Sequence, residues 1–169
     1  MLRIIYPQPG GPIAIITPVQ VEAQDGETAE EALLRHARGL LPDGTPVAVI
    51  DTDAMPADRT WRNAWTMHSG EPGSVTVDMA LAREVHRTRL RAARAPLLAE
   101  LDTAFMRAME NRDDKAMGNI AARKQALRDA PGTASIAMAA TPEALVESIG
   151  DGALREGYAK LFVRRDSMR

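Results

Sequence analysis

Four arginines, Arg83, Arg87, Arg91 and Arg94, recur at steps of four, four and three residues, a spacing that lines them along one stripe of a helix and leaves Arg89 off it. A row of guanidinium groups can clamp carboxylates or phosphates bidentately. The same spacing also serves a plainer end, in which the stripe flanks an apolar face and pairs with acidic segments of its own chain. An acidic protein partner, a nucleic acid and internal pairing are therefore three readings of one pattern. Trp61 and Trp65, four residues apart, form the second candidate set. They belong either to the core of a small sheet or, if exposed, to a surface that anchors a protein.

The residue types that perform catalysis are thinly distributed. His36 and His86 fall inside helical patterns with no second histidine or carboxylate at ligand spacing, and His68 stands beside a turn. Gly10-Gly11 and Gly70-Glu71-Pro72-Gly73 lack the following helix that would aim amides at an anion, so they are expected to be turns rather than phosphate loops. Glu100 and Asp102, or Asp51 and Asp53, could in principle form an acid/base pair. Residues two apart on a helix point away from each other, however, and solvated charges account for all four. No catalytic residue, metal ligand or cofactor is expected.

The elements that position these side chains follow from pattern. Leu2, Ile4 and Tyr6, then Ile13, Ile15 and Thr17, alternate on either side of Gln8-Pro9-Gly10-Gly11-Pro12, which predicts an opening hairpin. Thr28-Ala29-Glu30-Glu31 matches a capping box, and Leu33, Leu34, Ala37, Leu40 and Leu41 follow at helical spacing up to Pro42-Asp43-Gly44. Residues 46–51 read as a third strand. Over residues 56–77 a second hairpin is expected, with both indoles on one face, although a short helix would also bring Trp61 and Trp65 together.

Asp78 then caps a long helix over residues 78–111, whose ladder of Ala82, Val85, Leu90, Ala93, Leu97, Leu101, Phe105 and Ala108 keeps to steps that suit a helix. Pro96 is expected to kink this helix rather than break it, since nothing before it could cap a new one. At 1.5 Å per residue such an element extends roughly 50 Å, so part of it should project or pair with something. A return helix over about residues 115–130, capped by Asp113 or Asp114, completes a helical hairpin. Thr141-Pro142-Glu143 opens a further short helix, Leu154, Tyr158, Leu161 and Phe162 mark one more, and residues 163–169 read as a flexible tail. The expected fold is α+β. A small mixed unit with hairpins spans residues 1–77, and a helical region spans 78–162.

Composition narrows the partners. The net charge is −2, yet residues 1–60 carry four basic against nine acidic side chains, whereas residues 78–112 carry seven against five. So acidic an opening makes nucleic acid an unlikely general partner, because that mode needs a broad positive field. The chain has no cysteine, which fits a reducing compartment. Its first residues lack the pattern of a signal peptide, and no apolar run is long enough for a membrane span.

Three segments carry a family resemblance. They are Pro56-Ala57-Asp58-Arg59-Thr60-Trp61-Arg62-Asn63-Ala64-Trp65, then Val77-Asp78-Met79 leading into Arg91-Ala92-Ala93-Arg94-Ala95-Pro96-Leu97-Leu98-Ala99-Glu100-Leu101-Asp102, and Lys124-Gln125-Ala126-Leu127-Arg128-Asp129. Together they resemble small proteins encoded in the tail modules of tailed bacteriophages and prophages, over about residues 45–148. The helical C-terminal half is similar in a general way to tail-fibre assembly chaperones, which grip the receptor-binding tip of a fibre as it matures. This resemblance implies a non-enzymatic binder of a tail or tail-fibre protein, acting in the bacterial host cytoplasm or in the virion. Arg83, Arg87, Arg91, Arg94, Trp61 and Trp65 are the expected contact residues, and a homo-oligomer through the long helix is also open. A structural tail subunit and a nucleic-acid-binding phage regulator are the alternatives.

Overall fold

In the computed structural model, residues 1–18, 21–67 and 74–166 are described. The chain folds as two compact units, Met1–Ala82 and Arg83–Arg169, with the boundary just inside the long helix. The fold is α+β, with a small β-rich N-terminal region followed by a long helix and further helical segments.

In the first unit, strands β1 (Leu2–Pro7) and β2 (Ile13–Ile16) form the opening hairpin, with Ile4 opposite Ile16 and Tyr6 opposite Ala14. Gly10, at φ +65°, takes the left-handed turn position that a side chain would resist. The next element is helix α1 (Ala29–Leu40), begun by the expected capping box. Thr28 Oγ1 accepts from the Glu31 amide at 3.2 Å, and the Glu31 carboxylate accepts from the Thr28 amide at 2.8 Å. Strand β3 (Ala48–Asp51) pairs antiparallel with β1, giving the sheet order β2-β1-β3.

Ile4 and Ile5 are both fully buried in the central strand. Neighbouring strand residues point to opposite faces, so both faces of this sheet are covered. Ile4 packs with Leu33 and Ala37 of α1, while Ile5 packs with Ile13, Ala48, Ile50 and Trp65. Trp65 opens the second hairpin, β4 (Trp65–Met67) with β5 (Val75–Val77). A 3₁₀ helix over Arg59–Ala64 leads into it, so the segment holds both the short helix and the hairpin considered from sequence. His68 and residues 70–73 lie outside the described residues.

Helix α2 (Met79–Glu110) is continuous through Pro96. Asp78 Oδ1 caps it, accepting from the amides of Ala80 at 2.7 Å and Leu81 at 3.0 Å. The return helix α3 (Asp114–Asp129) has Asp113 as its N-cap. The Asp102–Lys124 ion pair and the Arg94 contacts to Leu127 and Arg128 fix the two helices as an antiparallel hairpin. Three further helices follow: α4 (Ala134–Met138), which the pattern did not predict, α5 (Pro142–Glu147) capped by Thr141, and α6 (Gly152–Asp166). Residues 163–166, expected in a flexible tail, continue α6; residues 167–169 lie outside the described set.

Candidate binding face on the long helix

The four stripe arginines do not share one task. Arg83 Nη2 donates to the carbonyl of Ala139, at the C-cap of α4, over 2.9 Å. Arg94 Nη1 donates to the carbonyls of Arg128 at 2.6 Å and Leu127 at 3.2 Å, in the last turn of α3. Such carbonyls have no partner within their own helix and sit at the negative end of its dipole, so a guanidinium there closes the helix end. The two ends of the stripe thus hold the fold together. Arg87 forms a local ion pair with Glu84 one turn away, and Arg91 is exposed. The candidate contact surface contracts to Arg87 and Arg91.

Trp61 and Trp65 are withdrawn from that surface by burial, at 4% and 1% exposure. The Trp65 ring is a wall of the sheet core, and its Nε1 makes no hydrogen bond among the described residues. Both indoles therefore follow the core reading. Their spacing comes from the 3₁₀ helix that holds Trp61 and ends at Trp65, the first residue of β4, not from a surface stripe.

Arg89, off the stripe, points to chemistry that residue spacing does not reveal. His86 is fully buried, and its Nδ1 lies 2.8 Å from the Tyr158 hydroxyl, with the rings tilted 56° at 5.1 Å between centroids. Burial pushes the imidazole pKa down from 6.5 to about 4, helped by the positive charges of Arg89 and then Arg87. Desolvation likewise raises the Tyr158 phenol, against a hydrogen bond from Arg89 that favours its charged form. Arginine only donates, so the phenol oxygen accepts from Arg89, and the direction of its bond with Nδ1 follows the imidazole tautomer. His86 and Tyr158 are each no more than 1% exposed, so this neutral pair serves the packing of α2 against α6. The available signal was position: His86 stands four residues from both Ala82 and Leu90 in the apolar ladder.

A cavity of about 260 Å³ is lined chiefly by Leu90, Leu127, Ile149 and Leu154, with Thr133 and Asp151 among its polar members. Asp151 Oδ1 already accepts from the Leu154 amide at 2.8 Å as the cap of α6. The lining is thus suited to an apolar group.

Two of the four carboxylates considered for acid/base work, Asp51 and Asp102, have partners within the fold. Asp51 accepts from the Asp53 amide at 3.0 Å, a bond that holds its pKa below the usual carboxylate range. Asp102 pairs with Lys124. Among the described residues no group of three or more histidines or carboxylates is placed to hold a metal ion, and no helix is long and apolar enough to cross a membrane. Comparison with family models, curated proteins and solved structures gave no match.

Proposed function

We propose that the chain is a non-enzymatic protein-binding factor of a phage or prophage tail module, an assembly chaperone or accessory that grips a tail or tail-fibre protein in the host cytoplasm. The observation that carries this reading is the pair Arg87 and Arg91 on consecutive turns of α2, with Arg91 exposed and Arg87 held by a local partner. An ion pair between neighbours on a helix surface contributes about 0.3–0.5 kcal/mol, so Arg87 can exchange Glu84 for the carboxylate of a client at little cost. The tail-module identity is supported by the resemblance over about residues 45–148.

The test is co-expression of the tagged chain with the fibre and tail proteins of its own phage or prophage, followed by capture. A fibre or tail protein retained by the parent chain and lost with Arg87→Glu/Arg91→Glu, at unchanged circular dichroism, is the expected result. Capture that is indifferent to the charge reversal removes the arginine face from the proposal. Capture of nucleic acid alone, falling steeply with salt, replaces the reading with that of a regulator. Recovery of the protein in purified particles would make it a tail subunit instead.

A further inference from the structure

The proximal and distal parts of the α2–α3 hairpin are built from similar residues but are covered differently. Near its base Leu90, Ala93 and Leu127 are each no more than 2% exposed. There α6 closes over α2, so tightly that a Cβ on Gly157 would stand 3.3 Å from the Ala93 carbonyl oxygen. Between Ala93 and Leu127 only Ala108 is buried among the described residues. Leu97, Leu101, Phe105, Met117 and Ile120 are half-buried, and Met109 is 47% exposed. Two helices alone cannot enclose an apolar seam, and a hairpin of this kind ordinarily closes by adding helices to form a bundle.

We propose that a second copy of this chain supplies those helices, the distal hairpins of two protomers packing about a two-fold axis into a four-helix bundle. Ala93, Leu97, Leu101 and Ala104 follow at steps of four, four and three, so the face that α6 covers at Ala93 continues towards the tip, where Leu97, Leu101 and Ala104 are only half-buried. On the edge of this face stand Glu100 and Arg107, both exposed and seven residues apart, two turns along the same side of α2. An antiparallel pairing of two α2 helices about an axis between Thr103 and Ala104 sets Glu100 of each copy beside Arg107 of the other. That is the reciprocal contact a two-fold interface requires. The small side chain of Ala104 at the crossing lets the helices approach.

Charge agrees with this occupant. Residues 97–124 carry five acidic and five basic side chains, interspersed and with no net charge, so a second copy meets no repulsive field. The open face is roughly 20 Å long and roughly two helix diameters wide. Its footprint is on the order of 400–500 Å² per copy, smaller than the ~800 Å² per partner of standard complexes, so pairing should depend on concentration.

The experiment is sedimentation of the full chain across concentrations, with a charge-swap cycle on the exposed pair. The parent chain should be a dimer. Glu100→Lys alone should weaken dimerisation about tenfold, and Glu100→Lys/Arg107→Glu should restore it, because the pair is remade in the opposite sense. Because the chain has no cysteine, Ala104→Cys introduces the sole thiol; it should cross-link two copies on mild oxidation, whereas Met106→Cys, on the opposite side of α2, should not. Circular dichroism keeps loss of folding apart from loss of pairing. A parent chain that is monomeric at every concentration overturns the proposal, including the case in which the same face is then found covered by a different protein. Failure of the double swap to restore pairing overturns the two-fold register.

Discussion

His86 and Tyr158, seventy-two positions apart in sequence, meet through a 2.8 Å hydrogen bond between the imidazole Nδ1 and the phenol, and so tie α2 to α6 inside the second unit. Neither ring is more than 1% exposed. The bond joins the first third of α2 to the one tyrosine of the C-terminal helix, and Arg89 also donates to the phenol. The face of α2 that meets solvent is therefore backed by a fixed polar clasp as well as by apolar packing.

This clasp makes stability depend on pH. The imidazole pKa is about 4 in the folded chain against 6.5 as its ordinary value. Between these limits the unfolded chain takes up a proton that the folded chain refuses, so the contribution is fully present above pH 6.5 and declines as the pH falls towards 4. By pH 4.5 the loss is roughly 2–3 kcal/mol, at ~1.4 kcal/mol for each pH step of one below the ordinary value. Urea melts of the parent chain at pH 7.5 and at pH 4.5 should show it. His86→Gln, which cannot charge, should be less stable at pH 7.5 yet show a flatter acid limb; an acid limb as steep as the parent's would mean that other groups control it.

The split within the arginine stripe gives opposite expectations for neighbouring residues. Arg94→Ala removes the donor to two carbonyls at the end of α3 and should destabilise the fold by about 1–3 kcal/mol. Arg91→Ala, at an exposed position, should leave stability within about 0.5 kcal/mol of the parent and act only on partner capture. Thermal melts of the two variants side by side decide it. Equal losses would mean that Arg91 too is part of the internal framework.

What could be read ahead of the structure was whatever depends on near neighbours. The opening hairpin is written in alternation about Gly10-Gly11, and the start of α1 in the reciprocal bonds of Thr28 and Glu31, because each needs only residues a few positions apart. The helical hairpin was legible for the same reason. The return of β3 to the far edge of β1 places Leu2 against Asp51, and no local pattern carries that pairing. For Trp61 and Trp65, spacing alone could not separate a stripe from a turn entering a sheet. His86 was hidden by its type: a histidine in an apolar ladder reads as a polar residue until its partner, far along the chain, is known. The arginines misled in the other direction. Their shared stripe is real, but Arg83 and Arg94 reach carbonyls whose positions only the folded chain defines.

The turn between α2 and α3 leaves room for improvement. The Asp113 amide bonds to the Ala108 carbonyl at 2.9 Å and the Arg112 amide to that of Met109 at 3.1 Å, the paired bonds of a Schellman ending. Arg112 occupies its left-handed position at φ 54°, and is the only residue other than glycine with positive φ among the described residues. A side chain meets a steric penalty there that glycine does not. Arg112→Gly should therefore stabilise the chain by about 0.5–1 kcal/mol, the residual strain outweighing the greater freedom of glycine in the unfolded state. Arg112→Val should destabilise it, because a β-branched side chain fits the left-handed region worst. Since the turn sets the register of α2 against α3, the pair of melts also probes the hairpin as a unit: if Arg112→Gly lowers the midpoint instead, the arginine must make a contribution at the tip that exceeds its backbone strain.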